Sequence, residues 1–200
     1  MTSQHFFIDG PAGRLEAAAV MPSGACRGIA LVAHPHPLYG GTMDNKVVTT
    51  LAKTFSRLGL AAFRLNFRGV GQSAGEFDQG IGETEDMLAL AGHARHELGE
   101  LPITLAGFSF GGYVQARVRE RLEAQRLVLV APAVKRFEVG AVPADTLVIH
   151  GEQDEVVPLA DVLDWARPQN LPLTVVPGAG HFFHGQLNLL ARIVSDTCRC

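Results

Sequence analysis

The chain has 200 residues, 47% of them hydrophobic and 18% charged, with 17 basic side chains against 20 acidic ones and a net charge of −3. That length buries a full core without staples and predicts a single domain over 1–200. There is no basic block, no run near the ~18 apolar residues of a membrane helix, and no basic-then-apolar leader in "MTSQHFFIDG". A cytoplasmic protein is expected, with neither nucleic acid nor membrane as partner.

In chain order, "FFIDG" and "RLEAAAVM" read as an antiparallel edge hairpin turned by "GPAG". Cys26 follows in a turn, "MPSGACRG". Then come six brief, nearly all-apolar runs, at 28–34, 60–66, 102–108, 126–132, 145–151 and 172–178. Such runs fit strands buried on both faces, as in a parallel sheet. Helical patterns lie between them, at 44–58, 81–99, 111–124, 159–167 and 183–197. Asp44 and Thr84 are candidate caps or early-turn residues, and Gly59 and Gly99 candidate stops. Strand–helix alternation with short loops predicts an α/β fold, a mostly parallel, doubly wound sheet flanked by helices. Ligands of such sheets sit at the carboxyl ends of the strands, so the residues after each run carry the chemistry.

The loop after the first buried run is "AHPHPLYGGTMDN". Its H-x-H, His34 and His36, lacks a third ligand, so no metal is expected. The next loop, "NFRGVGQSAGEF", carries Gly69-x-Gly71-x-x-Ala74 but runs on without opening into a helix. A dinucleotide fingerprint needs that helix, so no cofactor is expected, and the loop reads as structural. Arg64 and Arg68 are expected to pair with the acidic stretch Glu76, Asp78, Glu83, Glu85 and Asp86.

Residues 107–111, Gly-Phe-Ser-Phe-Gly, stand where a buried strand meets a helix. This is the G-x-S-x-G nucleophile elbow: strain presents the Ser109 hydroxyl, and Gly107 and Gly111 let strand and helix close in. A serine needs a base, and the elbow's partners follow in the order Ser, Asp or Glu, His. Downstream lie His150 within a strand, His181 in "VVPGAGHFF" and His184 in the first turn of the last helix. His181, in a loop beyond the last strand, is the favoured base. The acid comes from "LVIHGEQDEVVP", with Asp154 favoured over Glu152 and Glu155. A carboxylate there would fix the imidazole tautomer. For the oxyanion, Phe110 supplies one backbone N–H at a helix N-terminus. The second comes from His36 or Leu38, since Pro35 and Pro37 have none. Tyr39, Leu38 and Phe182 are candidate substrate contacts, and Phe108 and Phe183 are as consistent with core. Cys198 and Cys200 read as a reduced, frayed tail.

Together the "HPHPLYGGTMDNKVV" loop, the "RLNFRGVGQSAGEFD" loop and "GFSFGG" resemble the α/β-hydrolase superfamily over the whole chain. The nearest likeness is to its small branch related to dienelactone hydrolases. The resemblance implies a serine hydrolase of small esters or thioesters. Dienelactone hydrolases proper use cysteine where this chain has Ser109, which speaks against dienelactone as substrate. Only "AVKRFEVGAVPA" fills the position of a lid, so an open, lidless site is expected. A small-molecule acyl substrate and a monomer or homodimer complete the expectation. Acyl transfer, peptide hydrolysis and a non-catalytic binding role remain the alternatives.

Overall fold

A computed structural model describes residues 3–199. The edge hairpin is β1 (Gln4–Gly10) and β2 (Gly13–Val20), antiparallel in register from Gln4 opposite Ala19 to Gly10 opposite Gly13. The remaining strands are β3 (Gly28–Ala33), β4 (Leu60–Leu65), β5 (Ile103–Phe108), β6 (Arg126–Val130), β7 (Leu147–Gly151) and β8 (Leu173–Val176). They form one eight-stranded sheet in the order β1-β2-β4-β3-β5-β6-β7-β8. All pairings from β4 to β8 are parallel, and β2 joins β4 antiparallel.

The helices are α1 (Lys46–Arg57), α2 (Ile81–Leu98), α3 (Phe110–Arg121), α4 (Leu159–Ala166) and α5 (Leu187–Cys198). The period of two along each strand splits the core between the two sheet faces. Ile29, Leu31 and Ala33 point into the layer made by α2, α3 and α4, beside Met87, Val114 and Val162. Ala30 and Val32 point into the opposite layer, where α1 and α5 contribute Leu51, Phe55, Leu190 and Val194. Each fully buried Val, Leu, Ile, Phe or Met here is worth about 1.5–3 kcal/mol over exposure. Among the described residues no helix is long and apolar enough to cross a membrane.

Several local expectations change. The last helix begins at Leu187 rather than 183, because Phe183 and Gly185 take left-handed backbone, with φ of 52° and 75°. His184 therefore lies in a turn ahead of α5. Asn45, not Asp44, caps α1 through its Oδ1 on the Val47 N–H at 2.9 Å. Asp44 is drawn instead to Arg64 at 3.1 Å, so Arg64 does not serve the acidic stretch at 76–86. Arg68 does, with its guanidinium 2.7 Å from Asp86 Oδ1. Cys198 ends α5 and packs against the second core layer rather than fraying. Cys200 lies outside the described residues.

Candidate active site

β5 ends at Phe108 and α3 starts at Phe110, so the whole reversal falls on Ser109, with φ 56° and ψ −117°. A side chain at such positive φ is strained, and the strain aims Oγ away from the sheet. The turn exists only without neighbouring Cβ atoms. One on Gly111 would collide with the carbonyls of Ala33 and His34, and one on Gly107 with the Gly111–Gly112 peptide. The same closeness brings the loop after β3 against the start of α3.

Two further loops converge there. The segment after β7 is pinned to the β8 side by Glu152 N–H on Val176 O at 3.0 Å and Gln153 N–H on Ala179 O at 2.9 Å. Gly151 permits this approach, since a Cβ would strike Ala179 O. Asp154 and His181 thereby meet. His181 Nδ1 is 2.7 Å from Asp154 Oδ2, and His181 Nε2 is 3.1 Å from Ser109 Oγ. All three residues are buried, at 6% exposure for Asp154 and His181 and 7% for Ser109.

Asp154 Oδ1 accepts the N–H groups of Val156 at 2.9 Å and Val157 at 2.7 Å. Burial works against its charge. The hydrogen bonds from His181 and Val157 outweigh that and hold the carboxyl below its ordinary range. Of the other candidates, Glu152 is spent on the Gly178 N–H at 2.8 Å. His150 is fully buried at the end of β7, bonded to Val157 O at 2.9 Å, and does not reach Ser109.

The loop after β3 forms a short 3-10 turn at Pro37–Tyr39. Its N–H groups are almost all committed. Leu38 donates to His36 Nδ1 at 3.2 Å, Tyr39 and Gly41 to His36 O, and Gly40 to Pro37 O. That commits the Leu38 N–H elsewhere, and of the two candidate donors His36 remains. The Phe110 N–H is the first of α3, one of those a helix leaves unpaired. The His36 ring sits among Tyr39, Phe77, Phe110 and Phe137, with centroids 4.7–5.7 Å away. Burial and the nearby Arg136 charge both push its pKa down. His34 is committed to structure. Its Nδ1 meets Pro35 O at 2.6 Å and its Nε2 accepts the Phe67 N–H at 3.0 Å. Burial lowers its pKa to about 3, against a smaller upward pull from Pro35.

Ser109 and His181 open into a cleft of about 600 Å³ lined by His36, Tyr39, Phe110, Phe137, Val156, Val157 and Phe182. Of the candidate substrate contacts, Tyr39 and Phe182 line it; Leu38 does not, facing an adjoining groove with 67% of its surface exposed. Phe108 and Phe183 are fully buried core residues. At the mouth, Arg136 donates to Tyr39 Oη at 2.6 Å, and Lys135 pairs with Asp161 at 3.0 Å. Among the described residues the chain between β6 and β7 makes only turns and irregular structure, so no helical cap is inserted there; the segment lines the cleft through Lys135, Arg136 and Phe137. Sequence reading had no signal for Val157, whose backbone supports Asp154, because backbone donors leave no mark on residue type.

A nucleophile-elbow serine on a doubly wound sheet defines an α/β serine hydrolase, and comparison with known proteins agrees. Residues 37–144, over half the chain, match the family described as serine aminopeptidase, S33. The chain is 32% identical to the uncharacterized protein RP471 of Rickettsia prowazekii, over 95% of its own length and 86% of the relative's. It is 39% identical to XC6422 of Xanthomonas campestris, an α/β serine hydrolase without a lid. That match has a TM-score of 0.93 and covers 100% of this chain and 94% of the other. It is 42% identical to an α/β serine hydrolase homologue of Coxiella burnetii, with a TM-score of 0.92 and coverage of 99% and 98%. The protein belongs to the α/β-hydrolase superfamily and is a lidless serine hydrolase.

Proposed function

We propose that the protein hydrolyses small carboxylic esters or thioesters through a Ser109–His181–Asp154 triad. The observation that carries this is the unbroken chain from Ser109 Oγ to His181 at 3.1 Å and on to Asp154 at 2.7 Å, at the floor of an open cleft. His181 Nε2 takes the Ser109 proton as Oγ attacks the acyl carbonyl. The N–H groups of Phe110 and His36 hold the oxyanion. Collapse expels the alcohol or thiol, which takes the proton back from His181. Water, deprotonated by the same imidazole, then attacks the acyl-enzyme and releases the acid. Asp154 keeps the proton on His181 Nδ1 and stabilises the imidazolium.

Charge in the cleft favours an ester over an aminopeptidase substrate. An aminopeptidase must hold an α-ammonium group. Among the described residues the only carboxylate lining the cleft is Asp161, already paired with Lys135, and Arg136 adds a second cation at the mouth. The test is intact-mass labelling with a fluorophosphonate, which phosphonylates a serine only where base and oxyanion hole are assembled. One adduct mapping to Ser109, absent from Ser109→Ala, is expected. No adduct on folded protein would overturn the reading in favour of a binding protein. Products analysed with alcohol or amine acceptors present separate hydrolysis from transfer.

A further inference from the structure

His150 sits on β7, in the run "LVIHG" where every residue is buried. An apolar side chain would fit that strand without desolvating a polar ring. The imidazole is 0% exposed, and its Nδ1 is buried without a hydrogen-bond partner. Leaving such an atom unpaired is costly, so what the other end of the ring does must offset it. Burial pushes the His150 pKa down, against smaller upward pulls from the Val157 carbonyl and Asp154, so the ring is neutral at pH 7.

The neutral ring has one proton, and its place is fixed. Nε2 lies 2.9 Å from Val157 O, which only accepts, so Nε2 is the donor. The same Nε2 stands 3.5 Å from Asp154 Oδ2, the oxygen that receives His181. Val157 in turn gives its N–H to Asp154 Oδ1 at 2.7 Å. The near end of the loop 152–157 is tied to the β8 side by Glu152 and Gln153, as described above. Its far end is tied at Val157, and the tie is His150.

We propose that His150 is a positioning residue, which through Val157 clamps the 152–157 loop and turns the Asp154 carboxylate toward His181. This rests on the reading of Ser109, His181 and Asp154 as the triad. The ring never touches substrate, and its N–H end also faces the carboxylate, favouring the charged form. Misplacement of a reacting group by about 1 Å can cost about 100-fold in rate, so a side chain that fixes one loop end has leverage on kcat.

Three variants test the clamp. In His150→Gln the amide nitrogen reaches the place of ring Nε2 and can still donate to Val157 O. In His150→Asn the same amide stops at the place of Nδ1 and cannot. His150→Met fills the volume without a donor. For 4-nitrophenyl butyrate we expect Asn and Met to lower kcat about 10–100-fold with KM within about threefold, and Gln to recover most of the loss. The low-field proton NMR signal of His181 Nδ1–H, assigned by its loss in Asp154→Asn, should weaken in Asn and Met and return in Gln. Thermal melting run in parallel removes any contribution from unfolded protein. Equal kcat in the folded Asn and Gln variants, or an unchanged low-field signal in Asn, would overturn the clamp, whether or not Met folds. A wild type inert to both ester and fluorophosphonate would overturn the triad and this inference together. An active wild type with indifferent variants overturns the inference alone.

Discussion

Asp154 Oδ2 and His181 Nδ1 lie 2.7 Å apart at the meeting of two loops, each with one end at a strand of the sheet. The bond fixes which imidazole nitrogen faces Ser109. Asp154→Asn keeps the shape but presents an amide that can push the proton to the wrong nitrogen. We expect kcat to fall by about 10⁴-fold with the fold intact. Asp154→Ala should also lower stability by about 1–3 kcal/mol, because the buried Val157 N–H loses its acceptor. Steady-state kinetics and urea unfolding on the two variants separate these effects. Asparagine activity within tenfold of wild type would remove Asp154 from the mechanism.

Two glycine-to-alanine changes should move stability in opposite directions. At Gly111 a Cβ would meet the backbone carbonyls of Ala33 and His34, which cannot rotate away. Gly111→Ala is expected to cost about 2–4 kcal/mol and to abolish fluorophosphonate labelling. Gly92 lies mid-helix in α2 with nothing within 4 Å of an added Cβ. Gly92→Ala should gain about 0.5–1 kcal/mol and leave labelling unchanged. Thermal melts read both, and equal shifts would mean that α3 can yield at the elbow.

The sheet and Ser109 are legible in the sequence because their causes are local. A strand buried on both faces must be apolar throughout, and the elbow must have glycine at 107 and 111. Once Ser109 is placed, chain order narrows the base to His150, His181 or His184 and the acid to Glu152, Asp154 or Glu155, and a place in a loop just after a strand favours His181 and Asp154. The choice between His36 and Leu38 is not legible, because it depends on where the Leu38 N–H points, and it points at the His36 ring. The start of α5 is hidden for a similar reason. "HFFHGQ" is apolar enough to read as helix, yet Phe183 turns left-handed to bury its ring in the second core layer. The partnership of Arg64 with Asp44 is set by β4 lying beside β2 and the start of α1, a long-range fact that spacing does not encode.

Phe182 and Leu38 offer a contrast in substrate contact. Phe182 lines the cleft with its ring edge-on to His181 at 5.1 Å, whereas Leu38 faces the adjoining groove. If the cleft takes the acyl chain as proposed, truncating Phe182 removes apolar wall beside it, and about 0.8 kcal/mol is lost for each substrate CH₂ left in water. Phe182→Ala should raise KM for a butyrate ester about 3–10-fold while changing the acetate ester less. Leu38→Ala should leave both within about twofold. A chain-length series on the two variants checks this, and a larger effect from Leu38 would relocate the acyl pocket to the groove.

Acid should unfold the protein through His34. Its ring is fully buried, ties the loop after β3 to the Phe67 N–H, and has a pKa near 3 against an ordinary 6.5. Between those values the unfolded chain binds a proton that the folded chain refuses, so stability falls as pH falls. His150, also lowered by burial, acts in the same direction. Asp154 adds its loss only below its ordinary 3.8, as the pH passes its depressed value. From about pH 6 to pH 4, His34 alone should remove up to about 3 kcal/mol. His34→Gln should be less stable at neutral pH, because the Pro35 and Phe67 bonds are disturbed, but it has no imidazole to protonate. Its stability should therefore decline less steeply over the same interval, by about 2–3 kcal/mol. Urea unfolding of both proteins at several pH values measures the two slopes. Parallel slopes would mean that His34 accepts its proton without unfolding the chain, and that the loop carrying His36 opens to let it do so.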